Sequence, residues 1–212
     1  MLVENIEFKS NSIVFKGTLG KYLGEVILGI LLSMITLGVY VAWFVKNLHA
    51  YMVDNSSLND SSFKFKGTGG KLFVILLLTI MIPVFIFMYF MFNAIKGKSV
   101  EELTSLTRYM QLGILVIMIP YLYFAYKWMV NVQYKNYTIT WETNVWESIG
   151  KIALEIFLSI ITIGLYFPLA HLKLYKYFAE RTIVKSDEGD LKFGYDIEPK
   201  EDYIFIFIQT VL

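Results

Sequence analysis

Residues 15–21 read FKGTLGK and residues 65–71 read FKGTGGK. A glycine-rich string ending in lysine is the first place in this chain where chemistry could reside. A phosphate-binding loop needs four residues between its glycines and a hydroxyl residue directly after the lysine, because a wide loop of backbone N–H groups cradles the phosphates and the hydroxyl holds Mg²⁺. Here two residues separate Gly17 from Gly20 and Gly67 from Gly70, and Tyr22 and Leu72 follow the lysines. The strings therefore read as turns where polar chain meets apolar chain.

Ionisable groups within apolar chain are the next candidates, since a charge in such surroundings is costly and by default functional. Glu25, Glu155 and Lys127 qualify. Glu25 and Glu155 have Lys21 and Lys151 at i−4, and Lys127 can snorkel from a helix end, so structural roles are expected for all three. Lys173, Lys176 and Arg181 form a basic segment. On a helix Lys173, Lys176 and Glu180 share one face, with Leu174, Tyr175, Phe178 and His171 on the other. This is the pattern of an interfacial helix whose lysines meet anionic lipid headgroups. His49 and His171 are too few for a metal site, and cysteine is absent. No Ser-His-Asp set or carboxylate dyad can be assembled, so neither enzyme activity nor a cofactor is expected. A net charge of +1 argues against a nucleic-acid partner.

Elements that could position these residues follow from composition. The chain is 56% hydrophobic and 17% charged, against roughly 45–50% and about 25% in soluble domains. Charge is missing from 26–45, 72–92, 112–126 and 156–170, segments near the roughly 20 residues that span a bilayer. The stretch before Val26 lacks the apolar core of a signal peptide, so the first apolar segment is expected to remain in the mature protein.

A shift of 126 superimposes SMITLGVY (33–40) on SIITIGLY (159–166), and Tyr51 on Tyr177. Two copies of one unit are thus expected, at 13–67 and 139–195, around a transmembrane hairpin at 72–130 kinked by Pro83 and Pro120. Alternation of apolar and polar residues predicts short strands near Ile13–Lys16, Phe63–Lys66, Tyr137–Trp141 and Leu191–Phe193, with hairpins turning at residues 10–12 and 143–144. At least two of these strands are expected to pair across the copies. The tail YIFIFIQTVL (203–212) is too short to span and reads as a strand, an interfacial segment or the start of a helix.

Two topologies are compatible with this pattern. Four simple spans would invert the copies and divide the strands between two membrane faces. If instead Thr-x-Gly-x-Tyr breaks the helix and returns the chain, every strand lies on one face. The lysines then crowd that face, which the positive-inside rule makes cytoplasmic. Charge favours this second arrangement.

The second copy continues LYFPLAHLKLYKYFAERT. Here the chain resembles a bacterial inner-membrane family of unknown function typified by YjgN, in which Thr-x-Gly-x-Tyr is followed by Pro-Trp-Ala, two arginines three apart, an aromatic, and later Phe-x-Phe-x-Gly. Thr162, Gly164, Tyr166, Pro168, Ala170, Tyr177 and Phe193 match, with Leu169 for Trp and Lys173 and Lys176 for the arginines. The first copy keeps Trp43 and Tyr51 but has Ala42 at the proline and Asn47 and Ala50 at the basic positions. The resemblance implies an inner-membrane location and carries no catalytic residues.

The expected protein is mainly α, a single multi-pass integral membrane domain with short β-strands on one membrane face. Its expected role is a scaffold or interaction protein whose partners are anionic membrane lipids, with a homo-oligomer or another membrane protein also open. The alternative is a transporter of a small solute or lipid with its site between the copies and the kinked hairpin. A buried polar cavity near Pro83, Pro120, Ser33 and Ser159 would speak for the transporter.

Overall fold

The structure, a computed structural model, describes residues 5–8, 11–98, 100–185 and 190–192. Strands β1 (Asn5–Phe8) and β2 (Asn11–Phe15) lead into helices α1 (Leu19–Ile35) and α2 (Val41–Asp54). After β3 (Ser56–Leu58) and β4 (Ser61–Phe65), α3 (Gly69–Leu76) continues through a π-helical turn (Leu77–Met81) into α4 (Ile82–Ile95), and α5 (Val100–Met129) returns. The described residues continue with β5 (Val132–Tyr134), β6 (Tyr137–Trp141), α6 (Val145–Ile161), α7 (Phe167–Glu180), β7 (Thr182–Lys185) and β8 (Leu191–Lys192).

All eight strands form one antiparallel sheet in sequence order. That order has a local cause: each pair of helices leaves one strand and returns to the next, so β2 pairs with β3, β4 with β5 and β6 with β7. Tight hairpins join the pairs. At the β3–β4 turn Asn59 and Asp60 both take positive φ (47° and 63°), the backbone that a two-residue hairpin loop requires. The helices pack chiefly on their sequence neighbours, giving a wall of helices standing on the sheet.

The same strand-to-helix junction occurs at the foot of each helical pair. Lys16 N–H donates to the Asn55 carbonyl (2.8 Å), Lys66 to Asn131 (2.9 Å) and Glu142 to Arg181 (3.1 Å). An aromatic with a polar tip from the returning helix then clamps the turn. Tyr51 accepts from Thr18 N–H (2.7 Å) and donates to its carbonyl (2.9 Å), Trp128 donates to the Thr68 carbonyl (3.0 Å), and the Tyr177 hydroxyl meets Ser148 (2.8 Å) and Thr143 (3.2 Å). Glycine is required here because a Cβ at Gly17 would lie 2.3 Å from the Phe15 ring, and one at Gly67 2.2 Å from the Phe65 ring. The FKGT strings are the seats of these clamps, and the Thr18 amide that a phosphate would need is already bonded.

Thr-x-Gly-x-Tyr does break the helix, and it does so by one mechanism at both sites. Gly38 N–H bonds back to Ser33 O (2.7 Å) and Leu37 N–H to Met34 O (3.2 Å), while Gly164 and Ile163 repeat this with Ser159 (2.8 Å) and Ile160 (3.0 Å). This is the Schellman cap. The threonine hydroxyl then ties the two helices: Thr36 donates to Leu32 O (2.7 Å) and accepts from Tyr40 N–H (3.0 Å), and Thr162 does so with Leu158 (2.9 Å) and Tyr166 (3.0 Å).

Several expectations are corrected. Residues 143–144 are not a hairpin turn: the Asn144 side chain caps α6 by accepting from Trp146 and Glu147 N–H (2.9 and 3.2 Å), which holds the chain at a helix start. The hairpin turns instead at Lys135–Asn136, with Lys135 at φ 52°. The four expected strands do not pair directly across the copies, because β5 lies between β4 and β6. Pro120 sits inside α5 without ending it. Ahead of Pro83, whose missing N–H and ring disturb the preceding turn, the helix widens into the π turn. Phe193 and the tail 203–212 lie outside the described residues.

Candidate functional site

Three helical pairs close on the same sheet, and what fills the space between their helices distinguishes them. In the first pair Gly29 of α1 receives the Phe44 ring of α2, which a Cβ would meet at 1.9 Å. In the central pair Gly113 of α5 receives Phe87 of α4, which a Cβ would meet at 2.5 Å. A ring on a glycine brings the helix backbones close and fills the gap with apolar atoms.

The α6–α7 pair differs. Ala170 replaces the ring, and the space is taken by Glu155, only 1% exposed. A buried carboxylate needs charge and hydrogen bonds in return. Lys151, one turn earlier, places Nζ 2.8 Å from Oε1. The Tyr166 hydroxyl, carried on the Thr162–Tyr166 bracket, donates to Oε2 (2.8 Å). Lys173 on α7 donates to that same hydroxyl oxygen (2.8 Å), with its ammonium 5.2 Å from the Tyr166 ring centre. One carboxylate is thus held between two ammonium groups, one bound directly and one through a phenol.

Lys176, Arg181 and Lys185 each have one carboxylate. Lys176 lies 3.7 Å from Glu180, and Arg181 bonds Glu147 (2.8 Å) while stacking 3.7 Å from the Tyr177 ring centre. Lys185 pairs with Glu142 on the sheet, and that hydrogen bond, aided by Coulomb attraction, holds the ammonium's pKa above its ordinary value.

Of the residues singled out from the sequence, the structure brings Glu155 and Lys173 together and leaves the others dispersed. Glu25 is half-buried, and Lys21 does not pair with it: the Lys21 ammonium lies 5.8 Å from the Tyr51 ring centre, where the ring quadrupole attracts it. Lys127 is exposed in the last turn of α5, near carbonyls that favour a cation. His49 bonds the Met129 carbonyl (3.0 Å) between Phe65 and Trp128, and His171 is exposed on α7. The apolar face of α7 is Ala170, Leu174, Tyr177 and Phe178, not the expected face with His171 and Tyr175, which are exposed.

Sequence reasoning missed the burial of Glu155 and the part played by Tyr166. The signal was present: the 126-residue shift sets Glu155 on Gly29 and Ala170 on Phe44, small for large in both directions. A groove of 540 Å³ opens between α5 and α6, with apolar walls that include Leu115, Ile119, Ile156 and Phe157. It lies away from Ser33, and Ser159 donates to the Glu155 carbonyl (2.8 Å). Among the described residues no group of three His, Asp or Glu is placed to hold a metal ion.

Residues 10–212 match the bacterial protein family of unknown function DUF898. The chain is similar to inner membrane protein YjgN of Salmonella typhimurium, 38% identical over 73 residues, which is 34% of this chain and 18% of that protein. It is also similar to inner membrane protein YjgN of Escherichia coli strain K12, 33% identical over 89 residues, 42% of this chain and 21% of that protein. The chain spans about a fifth of the length of these curated relatives. No solved structure matches it. The chain belongs to the DUF898 family.

Proposed function

We propose that this DUF898 member is an integral protein of the bacterial inner membrane, a scaffold whose sheet lies on the cytoplasmic face and whose helical pairs enter the bilayer from that side. The observation that carries the reading is the pair of turn tips. Leu37 and Ile163 are each 94% exposed and held at positive φ, 48° and 53°, a conformation that costs a side-chain-bearing residue about 1–2 kcal/mol. A turn facing water would be served by glycine or asparagine. An apolar side chain in that position makes physical sense where lipid surrounds it.

Lengths support two kinds of insertion. The continuous helix Gly69–Ile95 has 27 residues, about 40 Å at 1.5 Å per residue, enough to cross. Helices α1 and α6 have 17 residues each, about 25 Å, and part of each is polar at the sheet end. Their pairs read as re-entrant, and we read them as two copies of one unit around the spanning hairpin. The relatives named inner membrane proteins support the location. A scaffold is favoured over a transporter because the groove between α5 and α6 is apolar and open, whereas a solute path calls for convergent polar groups.

Single cysteines test this without background, since the chain has none. In intact cells an impermeant thiol reagent should label Lys98→Cys and spare Ser61→Cys, which should react once the inner face is exposed. Leu37→Cys and Ile163→Cys should react only after detergent. Labelling of Leu37→Cys or Ile163→Cys in intact cells would replace re-entry with full crossing. Recovery of the chain in the soluble fraction would end the membrane reading.

A further inference from the structure

We propose that Lys151 and Lys173 bind the phosphate of one anionic phospholipid on the outside of the α6–α7 pair, with Glu155 and Tyr166 positioning the two ammonium groups. The proposal rests on the membrane reading above and adds a defined lipid site to it.

Charge bookkeeping leads there. Lys176, Arg181 and Lys185 each have a carboxylate partner of their own. Lys151 and Lys173 share Glu155, and among the described residues no second acid pairs with either. The cluster therefore carries an excess of one positive charge. It borders 156–170, which has no charge at all. An uncompensated ammonium at such a position is expensive, and lysines there are paired or reach toward the headgroups.

The donors are available. An ammonium has three N–H bonds; Lys151 uses one on Glu155 and Lys173 one on Tyr166. Lys173 is exposed and the Lys151 side chain is 34% exposed, so both ammonium groups are open to a ligand from outside. A phosphate diester has the acceptor oxygens to take hydrogen bonds from both. The first pair lacks this equipment. Glu25, Gly29 and Asn47 stand where Lys151, Glu155 and Lys173 stand in the second, so one such site per chain is expected.

The test is lipid preference, measured by native mass spectrometry of the purified chain released from nanodiscs containing equal phosphatidylglycerol and phosphatidylcholine. The wild type should retain phosphatidylglycerol preferentially. Lys151→Gln and Lys173→Gln should each lower the retained ratio about fivefold, the equivalent of about 1 kcal/mol per lysine near an anionic surface. Glu155→Gln raises the cluster's charge and should increase the ratio, a gain that a purely structural network would not give. An unchanged ratio in both lysine variants, or a fall in Glu155→Gln, overturns the site. So does equal thermal stabilisation by inorganic phosphate and by phosphatidylglycerol, which would assign the donors to a free anion. Failure to enter nanodiscs of any composition would instead refute the membrane reading, so the two failures are distinguishable.

Discussion

The α1–α2 and α6–α7 pairs share a frame and differ in their filling. Both have helices of 17 and 14 residues, the same threonine bracket at the tip and a tyrosine clamp at the foot. Between the helices, one pair seats Phe44 on Gly29 and the other buries Glu155 against the Lys151 ammonium and the Tyr166 hydroxyl. The frame is backbone hydrogen bonding, which depends on a few threonines and glycines. The filling is side-chain volume and charge, free to diverge provided that the gap is closed and any charge is compensated. One frame therefore encloses an aromatic ring in one pair and a charged network in the other.

Moving the filling between pairs should have the largest effect. Gly29→Glu would drive a carboxylate into the Phe44 ring with Glu25 and Asn47 standing where the second pair has Lys151 and Lys173, and should cost about 4 kcal/mol, roughly the penalty for a buried unpaired charge. Denaturant unfolding in detergent would show loss of the folded state, and near-wild-type stability would remove the contrast between the pairs. Lys151→Met should cost about 2 kcal/mol, below the full buried-pair value because the lysine is partly exposed and Tyr166 still serves Glu155. Glu25→Met, at the matching position, should stay within about 0.5 kcal/mol.

The clamps should rank next. Tyr51→Phe deprives the Thr18 N–H of its partner and should cost about 1.5 kcal/mol. Tyr177→Phe should cost less, because Ser148 and Thr143 keep their mutual bond of 2.7 Å. Equal losses would mean that the two feet are energetically alike. The smallest contrast belongs to the tips. Thr36→Val and Thr162→Val each remove one bracket and should cost about 1 kcal/mol apiece, matching within error when melted side by side.

Much of the frame was legible in the sequence because its determinants are local. Thr36, Gly38 and Tyr40 lie within one turn of chain, and their hydroxyl, achiral Cα and amide suffice to break a helix wherever they occur. Gly17 and Gly67 likewise announce a turn. The alternation in YTITW gave the strand at β6, but not the hairpin partner, since Asn144 fits a hairpin turn and a helix cap equally well until the chain downstream is helical.

The site was legible only in part. Charge spacing alone offered Lys21 for Glu25 and Lys151 for Glu155 on equal terms, and the structure keeps only the second. What separates them lies outside the i, i+4 spacing: Tyr51 draws Lys21 away, while the Tyr166 hydroxyl, at the N-cap of α7 and bonded by Lys173, receives the Glu155 carboxylate. The sequence by itself determined where the helices break at Thr-x-Gly-x-Tyr, where β2, β4 and β6 lie and that the apolar segments lie apart from the charged ones, since these follow from residues within a turn or two of each other. Tertiary structure decided that eight short strands make one sheet and that Glu155 is buried between two lysines. Those outcomes depend on which helix faces cross, and a crossing is set by the groups that meet there: a ring on a glycine in one pair, a carboxylate held by a lysine and a tyrosine in the other.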